Sequence, residues 1–410
     1  MISIKDFEKD FNKYSSLLLS RGFSKKKSLK LLNSYRDFKK FLFEWESLKS
    51  EINNLSKKYL NLTDDEKIKL KYLKEKFKET ANKKKLAEDL FVALWIKAPN
   101  VPRETSPITK KNCNYIVISE NNFLKKEKNS VIHHDDFLKI NNWIQSKNTN
   151  NIYGSRFVVF KKFGATLRQG LINFLISNNI KNNFEFYSFP YLLNEIGLVN
   201  SGQLPKFRTN LFKTSLNKYL SPTGEVQILN LFVHTCFDKN FTTKKICTYT
   251  ECFRKEAGAA GKDTKGLIRL HQFGKIETFL FTKQENVEEN FLFLVKNTTN
   301  LLDLLNLPYR IIELTRKELG ISSAKTYDVE VWMPSQEKYV EIASCSLCTD
   351  YQSRRSNIKY LTSSEKKEYV YTYNCSALPI ERLMAAIIEN HQKDNKTIIL
   401  PKALKKFLFN

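Results

Sequence analysis

No stretch of this 410-residue chain approaches the roughly 18 consecutive apolar residues that a membrane-crossing helix needs, so a helical membrane span is excluded. Asp6, Glu8 and Asp10 precede the short run Leu17, Leu18 and Leu19. That order fits neither a signal peptide nor an acid-poor transit peptide, and the expected location is the cytoplasm. Cysteine is too sparse and too irregular, at seven residues, to read as a disulfide framework. Cys345 and Cys348 have metal-ligand spacing, yet they lack a second such pair and suitably spaced histidines. No Gly-rich phosphate loop of the Rossmann or Walker type is present. The opening quarter has almost none of the residues that interrupt helices: the first proline is Pro99, and Gly22 is the only glycine before it.

Positive charge, by contrast, is abundant. Lys and Arg total 68 against 43 Asp and Glu, a net charge of +25, which permits a polyanionic partner such as nucleic acid. The signal is discounted because Lys, Asn, Ile, Phe and Tyr are all common while Arg is scarce, the pattern an AT-biased coding sequence produces whatever the function. A 41% hydrophobic content can bury enough surface for folded domains rather than disorder.

In the helical opening quarter Leu31, Phe38, Trp45, Ile52 and Tyr59 recur every seven residues. Phe41, Leu48, Leu55 and Leu62 follow three behind the later members, completing the a and d positions of a heptad repeat. Thr63 followed by Asp64, Asp65 and Glu66 is a capping box that starts a second helix. Leu70, Leu73, Phe77, Ala87, Phe91 and Leu94 continue the pattern more weakly, and so short a turn sends the second helix back antiparallel along the first. The expectation is a hairpin arm whose first helix runs from about Ser24 to Leu60, roughly 50 Å. A dimerisation coiled coil and a polyanion-binding arm both fit. Lysine clusters at 25–27, 39–40 and 83–85 favour phosphate contacts, or are simply solvated surface.

Pro99, Pro102 and Pro107 mark a linker, placing a domain boundary at residues 98 and 99. Beyond it come short runs rich in β-branched and aromatic residues: 115–118, 156–160, 184–187, 246–253, 276–281, 329–333 and 339–342. Helical stretches lie between them at 166–177 and 286–305. The spacing is not that of a doubly wound fold, and an α+β domain around an antiparallel sheet is the expectation for residues 99–410.

The stretch from Cys252 to Phe273 carries chemistry. It reads as a strand ending in Arg254 and Glu256 on one face, a loop with three glycines and two lysines, and a return strand bearing Arg269 and Phe273. A guanidinium suits a phosphate and a carboxylate suits an exocyclic amine. An ordinary surface hairpin with an Arg–Glu pair fits the same residues.

This stretch closely resembles the second signature motif of class II aminoacyl-tRNA synthetases, in the form used by the seryl-tRNA synthetase family. Ser201 to Phe207, Tyr219 to Val226, Leu307 to Arg310, Ala324 to Trp332, Glu341 to Ser346 and Asp350 to Arg355 are similar to that family in order and separation, as is the amino-terminal arm. The resemblance implies a class II antiparallel-sheet catalytic domain behind a tRNA-binding coiled-coil hairpin, in a homodimer with the segment from Phe184 to Pro190 at its interface. The substrates implied are serine, ATP and tRNA, with Mg²⁺, and the tRNA is held by the arm and the loop 257–268.

Carried onto this chain, the family's roles give Arg254 to the α-phosphate and the serine carboxylate, Glu256 to the adenine amine and Arg269 to the γ-phosphate. Leu270 joins the ATP site. Phe273 and Arg382 sandwich the adenine, and Glu341 and Ser344 ligate Mg²⁺. Thr223, Glu225, Glu277 and Ser376 select serine, with Glu225 on the ammonium and Glu277 on the hydroxyl. The sequence departs from the family at Gly224, where alanine is usual and the change is expected to be mild. It departs again in the third motif at Cys375, Ala377 and Glu381, of which the first two are expected to crowd the strand beside the ligand.

Overall fold

The computed structural model describes residues 1–57, 63–108, 113–128, 131–145, 149–257 and 265–408. Tyr59 and Leu62 of the expected seam, Leu60 at the expected end of the first long helix, and most of the loop 257–268 lie outside the described residues. The chain divides into two compact units, Met1–Val101 and Pro102–Asn410.

Among the described residues the first unit has two short helices, α1 (Ile4–Lys9) and α2 (Phe11–Leu19), and two long ones, α3 (Lys25–Ser56) and α4 (Asp64–Trp95). Ser24 caps α3, and Thr63 and Glu66 form the expected reciprocal capping box at the start of α4. The ring pairs Tyr35–Phe91, Phe38–Phe91 and Trp45–Phe77 show the antiparallel register, since one number rises as the other falls. The weak stretch of the second repeat also has an explanation. Thr80 is buried where an apolar residue would continue the heptad, and Lys84, next in the series, lays its ammonium 4.9 Å from the Trp45 ring centroid.

The second unit is built on a sheet whose strands are numbered in chain order: β1 (Tyr115–Glu120), β2 (Glu185–Tyr187), β3 (Thr243–Phe253), β4 (Gln272–Thr282), β5 (Tyr309–Leu314), β6 (Lys325–Met333), β7 (Lys338–Thr349) and β8 (Tyr371–Pro379). Among the described residues their spatial order is β1-β5-β6-β7-β8-β4-β3-β2, antiparallel throughout except for β2 against β3. One face is covered by helices α5 (Phe163–Lys181), α6 (Val287–Leu304) and α7 (Ile380–His391). Ile276, Val329, Cys345 and Cys375 meet Leu171, Phe291 and Leu383 there in the main core. The opposite face is polar in its middle.

Three expectations change. The run 156–160 is a strand only at Val159–Phe160, because Arg156 has a positive φ of 62° that a β-strand does not accommodate. Likewise β3 stops at Phe253, and Glu256 turns to φ 51°, so Arg254 and Glu256 are not strand neighbours on one face. Arg269 precedes β4 rather than lying in it.

Candidate active site

Cross-strand partners in a sheet share a face. The register pairs Asp328 with Ser344, Ser344 with Ser376, Ser376 with Glu277, and Glu277 with Thr248. A single polar row therefore crosses β6, β7, β8, β4 and β3 on the face away from the main core. Ser376 alternates with Cys375 and Ala377 along β8, and these two are fully buried among the core residues of the other face. They do not crowd the ligand side, contrary to the sequence-based expectation.

At one end of the row lies a closed polar knot. The Lys275 ammonium sits 2.6 Å from Glu277 Oε2, donates to Thr223 Oγ1 at 2.7 Å and to Ser376 Oγ at 2.7 Å, while Thr223 Oγ1 donates to Glu277 Oε2 at 2.7 Å. Lys275 is 1% exposed and Glu277 0%. Buried so deeply, each charge is tolerated only because the other is there. Thr223, Glu277 and Ser376 of this knot are expected from the sequence; Lys275 at its centre is not. A signal was available: Lys275 and Glu277 share one strand face with Phe273, Phe279 and Phe281, where unpaired charges are not buried.

Thr223 is also the N-cap residue of a further helix, Gly224–Leu231, whose first turn carries Glu225. Gln352 donates to Glu225 Oε1 at 2.6 Å and Gln203 to Oε2 at 3.5 Å. Burial, then the charge of Glu277, pushes the Glu225 carboxyl up to about 7. A carboxyl in that state gains most from an arriving cation. Gly224 is not an incidental departure: a Cβ there would lie 2.8 Å from Thr248 Cγ2 and 2.9 Å from Glu277 Cβ. An alanine here therefore needs Thr248 and Glu277 to shift, a cost that the expected mildness of the departure does not include.

Beside the knot is a cavity of about 130 Å³ lined by Arg254, Glu256, Arg269, Leu270, Phe273, Glu341 and Arg382, together with Leu267, Ile268, Pro379 and Glu381. The Arg254 guanidinium lies 5.2 Å from the Phe273 ring centroid and donates through Nε to the Pro222 carbonyl at 3.2 Å. Glu256 and Arg269 form an ion pair with each other, and Arg382 donates to the carbonyls of Glu341 and Ile268. Glu381 is buried and turned to other partners. It accepts from Arg168 Nε at 2.7 Å and from the Gly274 amide at 2.9 Å, so it braces the strand that carries Phe273.

Ser344 belongs to the row rather than to this cavity's lining, yet it shares a face with Glu341. Residues three apart in a regular strand point opposite ways. Here the pairing jumps from Val329–Ala343 to Glu330–Glu341, a bulge at Ile342. Ile342 and Ala343 both enter the core, and Glu341 and Ser344 both face the site side. Asp328, the cross-strand partner of Ser344, is 8% exposed, and among the described residues its Oδ1 has no hydrogen-bond partner. Burial, reinforced by the charge of Glu341, raises its carboxyl above the usual range. Two carboxylates, one of them with an orphaned oxygen, and a hydroxyl suit a hard divalent cation.

Comparison with known proteins fits this geometry. Residues 209–391 match the tRNA synthetase class II core domain (G, H, P, S and T). A serine–tRNA ligase of Mesoplasma florum is 38% identical over 382 residues, covering 91% of this chain and 90% of its own. One from Campylobacter jejuni is 35% identical, covering 99% of this chain and 100% of its own. A crystal structure of seryl-tRNA synthetase from Pyrococcus horikoshii complexed with ATP superposes with a TM-score of 0.90 at 27% identity, over 99% of this chain and 98% of that one.

Proposed function

The chain belongs to the serine–tRNA ligase family, and we propose that the polar knot is its serine site and the adjoining cavity its ATP site. The reaction is ATP-dependent serine activation followed by transfer of the seryl group to tRNA. The observation that carries the assignment is the knot itself: a buried Lys275–Glu277 pair with Thr223 and Ser376, beside an arginine-lined cavity.

Serine enters with its ammonium against Glu225 and its hydroxyl against Glu277. Glu277, paired with Lys275, accepts from that hydroxyl, and an amino acid without one leaves the buried pair uncompensated. Adenine lies between Phe273 and Arg382, with Glu256 and Leu270 at its edge. The triphosphate draws Arg269 away from Glu256 towards the γ-phosphate. A serine carboxylate oxygen then attacks the α-phosphorus and the α–β bridging bond breaks, releasing pyrophosphate while Arg254 neutralises the growing charge. In the second step the terminal ribose hydroxyl of tRNA attacks the seryl carbonyl and AMP leaves. Asp328, Glu341 and Ser344 fit Mg²⁺, which when bound shields the phosphate charge. Positioning supplies the rest of the acceleration.

The hairpin α3–α4 is proposed to bind tRNA through its exposed lysines. The edge strand β2, with Phe186 41% exposed, is proposed to lie at a homodimer interface. Serine-dependent ATP–pyrophosphate exchange, followed by charging of tRNA with each amino acid in turn, tests the assignment. Tight tRNA binding with no exchange would favour a non-catalytic paralogue, against which the complete knot and cavity speak.

A further inference from the structure

His133, His134 and Glu389 place three potential ligand atoms within 4.8 Å of one another, the described residues' only such cluster. It is not a cation site, because His134 has no free lone pair. Its Nδ1 contacts Glu389 Oε1 at 2.6 Å, and its Nε2 accepts from the Leu267 amide at 3.1 Å. An amide can only donate, so Nε2 is the bare nitrogen and Nδ1 carries the proton. Glu389 is fixed in turn, accepting also from the His134 amide at 3.2 Å and, through Oε2, from the Ser335 amide at 3.0 Å. His133 Nδ1 is already engaged by the Asp135 amide at 3.2 Å.

The imidazole therefore anchors one end of the segment that lines the nucleotide cavity. Lys265 reaches Asp136 at 3.0 Å, Leu267 hangs on His134, and Arg382 Nη2 holds the Ile268 carbonyl at 3.2 Å. Arg269 follows directly. Arg382 and Glu389 are seven residues apart on α7, two turns along one face. One helix thus grips the segment twice, directly through Arg382 and indirectly through Glu389 and His134. The fit leaves no slack at Gly266: φ is +69°, and a Cβ would lie 2.3 Å from His134 Nε2.

We propose that His134 is a positioning residue for ATP: locked in one tautomer by Glu389, it fixes the Leu267 backbone and so sets where Ile268, Arg269 and Leu270 present themselves to the nucleotide. This rests on the assignment of the cavity to ATP. His134→Phe keeps the ring and removes both hydrogen bonds. In ATP–pyrophosphate exchange by the full chain, its KM for ATP should rise about tenfold, the scale of one lost buried hydrogen bond, while KM for serine stays within about twofold. The Leu267 amide should exchange with solvent deuterium at least about tenfold faster. His134→Gln, whose side-chain oxygen still offers an acceptor to Leu267, should recover most of the ATP affinity.

Gly266→Ala, which forces the segment off the imidazole from the other side, should reproduce the ATP defect with the His134–Glu389 pair intact, and it decides the matter if His134→Phe does not fold. An unmoved KM for ATP in the folded variants, equal rises for serine and ATP, or no rescue by glutamine would each overturn the role of His134. Wild-type protein that neither binds ATP nor exchanges pyrophosphate would instead overturn the assignment of the cavity.

Discussion

Serine affinity should fall about tenfold between pH 8 and pH 6, with Glu225 as the cause. Its carboxyl in the empty site is half-protonated at about 7, so it is mostly ionised at pH 8 and mostly neutral at pH 6. An ammonium ligand needs the ionised form. Binding must expel the proton, and the affinity follows the ionised fraction, which changes by roughly ten over those two units. The amine of a free amino acid stays protonated across this range, so the ligand does not contribute. Calorimetric titration of serine at pH 6, 7 and 8, without ATP, reads the affinity. Repeating pH 6 in buffers of different ionisation enthalpy should show close to one proton released per serine.

Stability carries the opposite sign. The folded value lies above the ordinary 4.5, so the empty protein holds this proton more tightly than the unfolded chain. Its stability should fall as pH rises from about 4.5 to about 7, by on the order of 3 kcal/mol. Glu225→Gln should bind serine weakly with no pH dependence and lose this stability slope. Wild-type affinity that is flat from pH 6 to 8, or a Gln variant with an unchanged slope, would refute the reasoning.

Arg254→Ala should depress pyrophosphate exchange by at least about 10²-fold, as the loss of one preorganised charge-stabilising donor does, and unchanged exchange in the folded variant would remove Arg254 from the first step. Lys275→Met should cost about 3–5 kcal/mol by stranding the Glu277 charge; the double variant with Glu277→Gln should regain melting temperature without regaining exchange. Gly224→Ala, although it restores the residue usual in the family, should raise KM for serine several-fold by displacing Glu277, and normal kinetics would show that Thr248 and Glu277 give way easily. Deleting α3–α4 should leave pyrophosphate exchange nearly intact and abolish tRNA charging, with a shallower salt dependence of tRNA binding; monomers with the original salt slope would mark a dimerisation arm instead.

The hairpin was legible in the sequence because its signals are local: a seven-residue period, a capping box and an absence of glycine and proline. The site was legible only through resemblance, because its geometry is made by pairing strands distant in the chain. Lys275 and Glu277 lie two apart on β4, yet what makes Lys275 tolerable is Thr223, 52 positions away, and Ser376, 101 positions away. Asp328 reads as a surface acid until the register sets it across from Ser344. The shared face of Glu341 and Ser344 depends on a bulge with no composition signal. His134 stayed invisible for the same reason, since its partners Leu267 and Glu389 are remote in sequence and both contacts depend on tertiary placement.

The row from Asp328 to Glu277 runs across the strands rather than along them, so its length is counted in hydrogen-bonded ladders. Each step is fixed at roughly 4.8 Å, and three steps separate the cation end from the hydroxyl end by about 14 Å. Evolution can exchange the functional group on any rung, but it cannot stretch the ruler by fractions. A strand that gains or loses one residue within the row turns its rung to the opposite face unless a bulge absorbs the change, as at Ile342 beside Ser344. Length changes are otherwise left to the loops beyond the strand ends, and a larger amino acid is admitted by trimming a side chain rather than by widening the frame.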